Sequence, residues 1–362
     1  MISNQTIQTS IDELKAITKV DLCVYDMFGA LVASTVSQVE IGGELISGFA
    51  NSPADSQVIG IHHLLKITDE GELLYILVAR GTSDDVYMVG KIAVCQIRNL
   101  AVAYKERLDR NNFFQNLLLD NLLLVDIYNR AKKLHVEVAV PRAVFLVETA
   151  LEKDGIVTEL LKGMFSSQSG DYITAVDESN VILIKALEQG GSHEELMGIA
   201  DTIVAMMNAE AMLNVRVSFG TVVPELKDVS KSYKEAKMAL DVGKIFYAEK
   251  NVAAYSTLGI GRLIYQLPIN LCRIFIEEIF GDNVPDDLDE ETLNTINKFF
   301  ENNLNVSETS RQLFVHRNTL VYRIEKLQKS TGLDLRNFDD ALTFKIALMV
   351  VNYMKYLDNM NY

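Results

Sequence analysis

The chain is poor in the residues that build special chemistry. It has three cysteines, five histidines, five prolines and no tryptophan. Cys23, Cys95 and Cys272 lie far apart among apolar neighbours, which excludes a disulfide framework or a cysteine metal cluster. They read as small buried hydrophobes in a reducing compartment. No window approaches the roughly 18 uninterrupted apolar residues of a membrane span. The opening MISNQTIQTSIDELK lacks the charged and apolar regions of a signal peptide. A cytoplasmic protein with no membrane partner is therefore expected. Gly-x-Gly-x-x-Gly, a Walker loop, His-Glu-x-x-His and Cys-x-x-Cys do not occur, so neither cofactor nor metal is expected. Positive charge is also short, at 34 Lys and Arg against 49 Asp and Glu, a net charge of -15. Taken alone, that balance opposes binding to phosphates.

What is present is apolar patterning, at 49% hydrophobic residues over 362, enough for two or three cores. The richest stretch is Asn305 to Lys329, NVSETSRQLFVHRNTLVYRIEKLQK. Asn305 can cap a short helix, with Glu308 reaching back to close a capping box. Ser310 and Leu313 would pack inward, Phe314 and Val315 would turn the chain, and a second helix would begin near His316. On it Leu320, Ile324 and Leu327 form one buried stripe. At about 100° per residue, Asn318, Thr319, Tyr322 and Lys326 face away from that stripe, with Arg317 and Arg323 on its rims. These groups can read base edges and hold phosphates, as the second helix of a helix–turn–helix does in the major groove. An ordinary amphipathic helix with a solvated face has the same periodicity. From Val306 to Arg336 six cations face three carboxylates, whereas Asp282, Asp286, Asp287, Asp289, Glu290 and Glu291 form an acidic connector just before. The candidate DNA contacts are Arg317, Asn318, Thr319, Tyr322, Arg323, Lys326, Arg311 and His316.

The run Leu313 to Leu335, LFVHRNTLVYRIEKLQKSTGLDL, closely resembles the C-terminal helix–turn–helix of PucR/CdaR-type bacterial transcription regulators. In that family a hydrophobic turn precedes His-Arg-Asn-Thr-Leu, then Tyr-Arg-Ile or Leu, then Thr-Gly-Leu-Asp. The resemblance implies a regulator of operator DNA that works as a homodimer or higher oligomer and answers an unknown small-molecule or partner signal. No catalytic role is expected.

Before that stretch, residues 1–106 read as a small α+β domain. A helix (Ile11 to Thr18) leads into VDLCVYDMFGALVAST, two strands turning at Asp26-Met27-Phe28-Gly29. Further strands are expected at Val58 to Ile67, Leu73 to Ala79 and Val86 to Val94. This opening resembles PAS-like sensors and the family's sugar-diacid recognition module, whose Ser-Thr and Ile-Gly are matched by Ser34-Thr35 and Ile41-Gly42. Glu40 stands where the family has Arg, and a His that should follow Ile-Gly is missing. A carboxylate ligand would then want a cation, for which Arg80 is the candidate. The ligand-binding set is Ser34, Thr35, Ile41, Gly42 and Arg80; a ligand-free dimerisation domain is the alternative. His62 and His63 read as ordinary strand residues.

Val94, Ile97, Ala101, Tyr104 and Leu108 recur at spacings of three and four, either as a dimer seam or as a helix on its own sheet. A helical linker (107–138), including Phe113 to Leu134, leads to a middle domain (139–256) in the order βαββαβ, which is ferredoxin-like and shared by nucleotide cyclases. The string VRVSFGTVVPELKDVSKSYKEAKMAL (Val215 to Leu240) resembles the closing part of GGDEF domains. The hairpin turn Asp177-Glu178-Ser179-Asn180 has no glycine, Gly190-Gly191 fall at a helix start capped by Ser192 and Glu195, and Glu148 stands alone as a metal-ligand candidate. A degenerate GGDEF-like domain fits. A residual cyclase or nucleotide-binding enzyme, and a non-catalytic scaffold, remain as alternatives. A helical connector with the acidic linker (257–290) precedes an all-α DNA-binding domain (291–362). Thr292 to Asn302 serves there as its support helix and Phe338 to Tyr356 as its closing helix. The whole is an α+β multidomain chain.

Overall fold

The computed structural model describes residues 2–37, 41–83, 85–149, 154–165, 170–177, 179–188, 190–281 and 290–360. Glu40, Glu178 and the acidic run 282–289 lie outside them. The chain divides into two compact units, Met1–Phe114 and Gln115–Tyr362.

The first unit opens with α1 (Asn4–Thr18), capped by the Ser3 hydroxyl, which accepts from the Thr6 N–H at 3.2 Å. The strands β1 (Asp21–Tyr25) and β2 (Leu31–Ser34) follow. A short helix, α2 (Gly43–Ala50), separates them from β3 (Ser56–Ile59), β4 (His62–Asp69) and β5 (Glu72–Arg80). All pair antiparallel in the order β2-β1-β5-β4-β3. The long α3 (Asp85–Leu118) closes the unit. Strand alternation sends Leu22, Val24, Leu77 and Ala79 to the α1 and α3 face, and Cys23, Tyr25, Ile76 and Val78 toward Ile46 and Phe49 of α2. Both faces are covered, which explains the unbroken apolar run of β5. The β1–β2 turn needs Gly29: its φ is +87°, and a Cβ there would lie 2.4 Å from the Gly43 carbonyl oxygen.

Three expectations require correction, and one left open is decided. The strand expected over 86–94 is the first part of α3: Val86, Val89, Ala93 and Ile97 recur at helical spacing and are buried on the sheet. The single strand over 58–67 is a hairpin, because Gly60, at φ +61°, reverses the chain between β3 and β4. Of the two readings of the Val94 to Leu108 spacing, the second holds: Ile97 is buried, with the partly buried Val94 and Ala101 packed against the unit's own core, while Tyr104 and Leu108 are exposed. The helix thus lies on its own sheet. Cys95, on the opposite side of α3, is exposed, unlike the buried Cys23 and Cys272. Among the described residues α3 is the helix long and apolar enough to cross a membrane by length and composition.

In the second unit, α4 (Leu124–Lys133) precedes β6 (Arg142–Glu148), α5 (Asp154–Met164), β7 (Tyr172–Ala175), β8 (Asn180–Ala186), α6 (His193–Ala211), β9 (Arg216–Phe219), α7 (Val229–Phe246) and β10 (Val252–Ala254). The helical stretch expected over 113–134 is thus interrupted between α3 and α4. The sheet order is β10-β9-β6-β8-β7, antiparallel except for β10 beside β9. Val157 and Leu161 of α5 and Leu196, Ala200 and Ile203 of α6 pack on Phe145, Val147 and Phe219.

The motif Ser-x-Gly followed by Tyr-x-x-Ala-x-x-Ala-Leu is explained by how α7 meets this sheet. The buried Ser218 hydroxyl donates to the Ala236 carbonyl at 2.8 Å. The Ser232 hydroxyl donates to the Thr221 carbonyl at 2.8 Å and accepts from the Val144 N–H at 3.0 Å. A Cβ on Gly220 would sit 2.0 Å from the Ser232 carbonyl oxygen. Only glycine allows that approach.

Among the described residues, six α-helices follow: α8 (Ile260–Tyr265), α9 (Ile269–Phe280), α10 (Glu290–Glu301), α11 (Val306–Gln312), α12 (Arg317–Thr331) and α13 (Phe338–Met360). One core joins Ile264, Cys272 and Phe280 with Ile296, Phe299, Ile324 and Phe344. This head rests on α7. The Tyr265 hydroxyl donates to Asp241 at 2.8 Å, and burial with that carboxylate pushes the phenol pKa up, so it stays a donor.

Gly220→Ala should lower the stability of the full chain by about 2–3 kcal/mol, because the added methyl meets backbone that cannot yield. Thermal or denaturant unfolding followed by circular dichroism measures it. An unchanged midpoint would mean that α7 and β9 can part without cost.

Candidate nucleic-acid interface

Two short helices at a fixed angle need caps and a tight turn, and the chain supplies both. Asn305 Oδ1 accepts from the N–H groups of Ser307 and Glu308, each at 3.1 Å, to start α11. The expected reach-back of Glu308 does not form, because the Asn305 N–H already donates to the Asn302 carbonyl at 3.0 Å. Glu308 instead accepts from Arg311 at 2.6 Å and from Gln312 at 3.0 Å. These bonds hold its carboxyl below the usual range.

At the turn, the Val315 N–H donates to the Ser310 carbonyl at 3.0 Å and the Phe314 N–H to the Arg311 carbonyl at 3.2 Å. This is a Schellman closure, whose left-handed position usually holds glycine. Here Phe314 holds it, at φ +53° and 96% exposed. A left-handed aromatic that packs on nothing costs stability without return from folding. Sequence reasoning treated Phe314 only as part of the turn, and its exposure was not legible from a hydrophobic residue in an apolar run.

His316 caps α12, its Nδ1 accepting from the Asn318 N–H at 3.2 Å. In the neutral ring the proton then sits on Nε2, leaving an outward donor. Leu320, Ile324 and Leu327 are buried, while Arg317, Asn318, Thr319, Tyr322, Lys326 and Lys329 are exposed. Arg323 points elsewhere: it is half-buried, donates to Thr295 Oγ1 at 2.9 Å and pairs with Glu291, tying α12 to α10. Arg311 is exposed but paired with Glu308, and Arg336 pairs with Asp334 at 2.8 Å. Of the six cations between 306 and 336, Arg317, Lys326 and Lys329 hold no ion pair among the described residues.

The other candidate residues serve local structure. In the first unit, Gln8 brackets Ser34 with two 2.9 Å bonds to its backbone, and the Thr35 hydroxyl accepts from the Leu22 N–H at 2.9 Å. Arg80 sits on β5 opposite Asp21 and His62, while Gly42 caps α2 with Ile41 packed beneath it. In the middle domain, Asp177 Oδ1 accepts from the Ser179 N–H at 3.0 Å and from Asn180 at 2.9 Å, closing the β7–β8 turn. Glu148 pairs with Lys244. Gly190 and Gly191 both have positive φ just before α6, whose cap is Ser192.

Comparison with known proteins agrees with this layout. Residues 292–350 match the PucR C-terminal helix-turn-helix domain, and residues 121–242 match the GGDEF-like domain. The chain is 24% identical over 310 residues to the carbohydrate diacid regulator of Escherichia coli (strain K12), covering 78% of this chain and 77% of the relative. It is 23% identical over 268 residues to the purine catabolism regulatory protein of Bacillus subtilis (strain 168), covering 70% of this chain and 50% of that one. A third relative, 24% identical over 186 residues, is the DNA-binding transcriptional activator AdeR of the same organism, covering 49% and 43%. The capped helix–turn–helix and these matches define a DNA-binding transcriptional regulator. It is of the PucR/CdaR type, with a PucR head behind a GGDEF-like domain.

Replacing Phe314 with glycine relieves the left-handed strain and removes nothing packed, so Phe314→Gly should hold or raise the stability, by up to about 1 kcal/mol. A clear fall in thermal stability would show that the ring supports the turn.

Proposed function

We propose that α12 enters the major groove of operator DNA with Arg317, Asn318, Thr319 and Tyr322 toward base edges. Lys326, Lys329 and the Nε2 donor of His316 then lie along phosphates. The observation that carries this reading is the division of α12 into a fully buried Leu320–Ile324–Leu327 stripe and an opposite exposed face of reading and phosphate-holding groups. Phe314, 96% exposed in the turn just before α12, would then be free to meet a sugar or a thymine methyl. Arg323 is assigned to holding α12 against α10 and Arg311 to the α11 surface.

The first unit is read as a PAS-like sensor, which its five-stranded antiparallel sheet with helices on both faces supports. The middle domain is read as ferredoxin-like, supported by its strand order: numbered along the domain, β6 to β9 run 4-1-3-2. We assign it no catalysis: Asp177 and Glu148 are committed to the hairpin turn and to Lys244, and the relatives are regulators. The protein then works in the cytoplasm, where its DNA is.

Three unpaired cations per head give little hold on DNA, so two heads must act together. What supports pairing is the outward face of α3, where Met88, Ile92, Cys95 and Asn99 recur at spacings of four, three and four and are exposed. That is a short heptad seam with an asparagine at a core position, the feature that fixes register in parallel pairs. A signal at the first unit would change how two protomers hold their heads, matching or missing half-sites about one helical turn (~34 Å) apart.

Fluorescence anisotropy with DNA from upstream of the protein's own and neighbouring genes, against scrambled DNA, tests the interface. Arg317→Ala should cost about 1–3 kcal/mol and relax sequence preference, whereas Lys326→Ala should weaken all DNAs alike. The four phosphate-holding lysines of two heads, Lys326 and Lys329 from each, correspond to a slope of about -4 in log affinity against log salt. If Arg317→Ala leaves affinity and preference unchanged, the recognition face is misplaced. Copper-phenanthroline oxidation should yield a covalent dimer of the full chain that Cys95→Ser abolishes. A cross-link that survives Cys95→Ser would put the pairing surface elsewhere.

A further inference from the structure

The first unit carries a groove of about 830 Å³ that none of Ser34, Thr35, Ile41, Gly42 or Arg80 lines. It lies at the end of the sheet where the β1–β2 and β4–β5 turns meet, between the end of α2 and the middle of α3. Its volume is that of a small-molecule site. Its walls are apolar: Met27 and the 80% exposed Phe28 come from the β1–β2 turn, Leu73 from β5, and Tyr104 and Leu108 from α3. An aromatic left this exposed on a tight turn has no packing reason of its own.

The rim is charged, and the charges do not balance. Lys105 lines the groove but is committed to Asp69 at 3.2 Å and Glu70 at 3.7 Å. Glu72, on the same turn, lines the groove and holds no ion pair among the described residues. Among the groove's own lining residues, Asp69 and Glu72 against Lys105 leave one negative charge beside an apolar trough. A sugar diacid or any other anion meets repulsion there, whereas a cation on an apolar body gains both the trough and Glu72.

We infer that this groove is the effector site of the first unit and takes a hydrophobic amine: an aromatic or branched aliphatic body lying along Phe28, Tyr104 and Leu108, with its ammonium toward Glu72. The effector role rests on the sensor reading of this unit; the binding itself does not. The occupant would touch both turns and α3 at once, so filling the groove fixes α3 against the sheet.

The full chain has no tryptophan, so Phe28→Trp places a single indole on the groove wall. Titration of this variant with 4-phenylbutylamine should shift the indole emission saturably, while 4-phenylbutyrate, the same body with the opposite charge, should bind much more weakly. Adding Glu72→Gln should weaken the amine about threefold to fivefold, the size of a partly exposed ion pair, and leave neutral 4-phenylbutanol unchanged. Carboxylate binding as tight as the amine, indifference to Glu72→Gln, or no saturable response to any of the three compounds overturns the assignment. DNA titration with and without the amine reads the sensor role separately: saturable binding that leaves DNA affinity unmoved keeps the site and refutes its effector function.

Discussion

The second unit depends on the approach of α7 to β9. Gly220 lets the backbone of Ser232 come within the space a methyl would occupy, and the Ser218 and Ser232 hydroxyls satisfy main-chain groups that this approach would otherwise strand. A helix so placed needs a small residue on its inner face, and Ala236, whose carbonyl accepts from Ser218, is fully buried there. The other side of α7 carries the DNA-binding head. Ala239 and Val242 share a cluster with Leu258 and Tyr265, and the ring of Tyr265 lies 5.7 Å from that of Tyr353 on α13. One helix therefore serves two cores. Because interiors are close-packed, a displacement of α7 on its sheet cannot be absorbed locally and must reach the head. Apart from any catalysis, a GGDEF-like domain has a physical use in this arrangement: it is the rigid body against which the head is set.

The head itself shows how little positive charge a DNA reader can expose. Half of its six cations between 306 and 336 are used on its own carboxylates. Arg323 with Glu291 and Thr295 fixes the angle of α12, which matters more to reading bases than one further phosphate contact would. On a chain of net charge -15, nonspecific attraction is then weak, which leaves selectivity to base contacts and, in the proposed pair, to the joint action of two heads. Weak general attraction also keeps such a protein from being lost on bulk DNA.

Much of this was legible in the sequence where a local pattern met a single requirement. Leu320, Ile324 and Leu327 announced their stripe through spacing. What failed had two causes. The strand expected over 86–94 failed because α3 is apolar on both sides: Val86, Val89 and Ala93 face the sheet while Met88 and Ile92 face out, and the sum imitates a buried strand. The turn at Gly60 was hidden between Ile59 and Ile61, which read as one run. Side-chain commitments across long separations left no local signal. Arg323 finds Glu291 from 32 residues away, and the Asn302 carbonyl takes the donor that Glu308 was expected to serve.

The same two-sidedness of α3 bears on how the first unit can signal. A helix with one apolar face on its sheet and another toward solvent is held by the first and available through the second. Its inner face is rigid, with Ile97 and Ala93 fully buried, so the helix moves only if the sheet end it crosses changes. That end is where the β1–β2 and β4–β5 turns and Lys105 meet, and there the contacts are an exposed ion pair and a partly filled apolar trough rather than a packed core. Local stability is lowest where few buried contacts hold an element. The part of α3 best placed to respond is therefore the stretch around Tyr104 to Leu108. A change there would pass along the helix axis, since a hydrogen-bonded helix transmits rotation and translation over many turns with little loss. The outward residues Met88 to Asn99 would carry it to a second protomer without any rearrangement of the sheet.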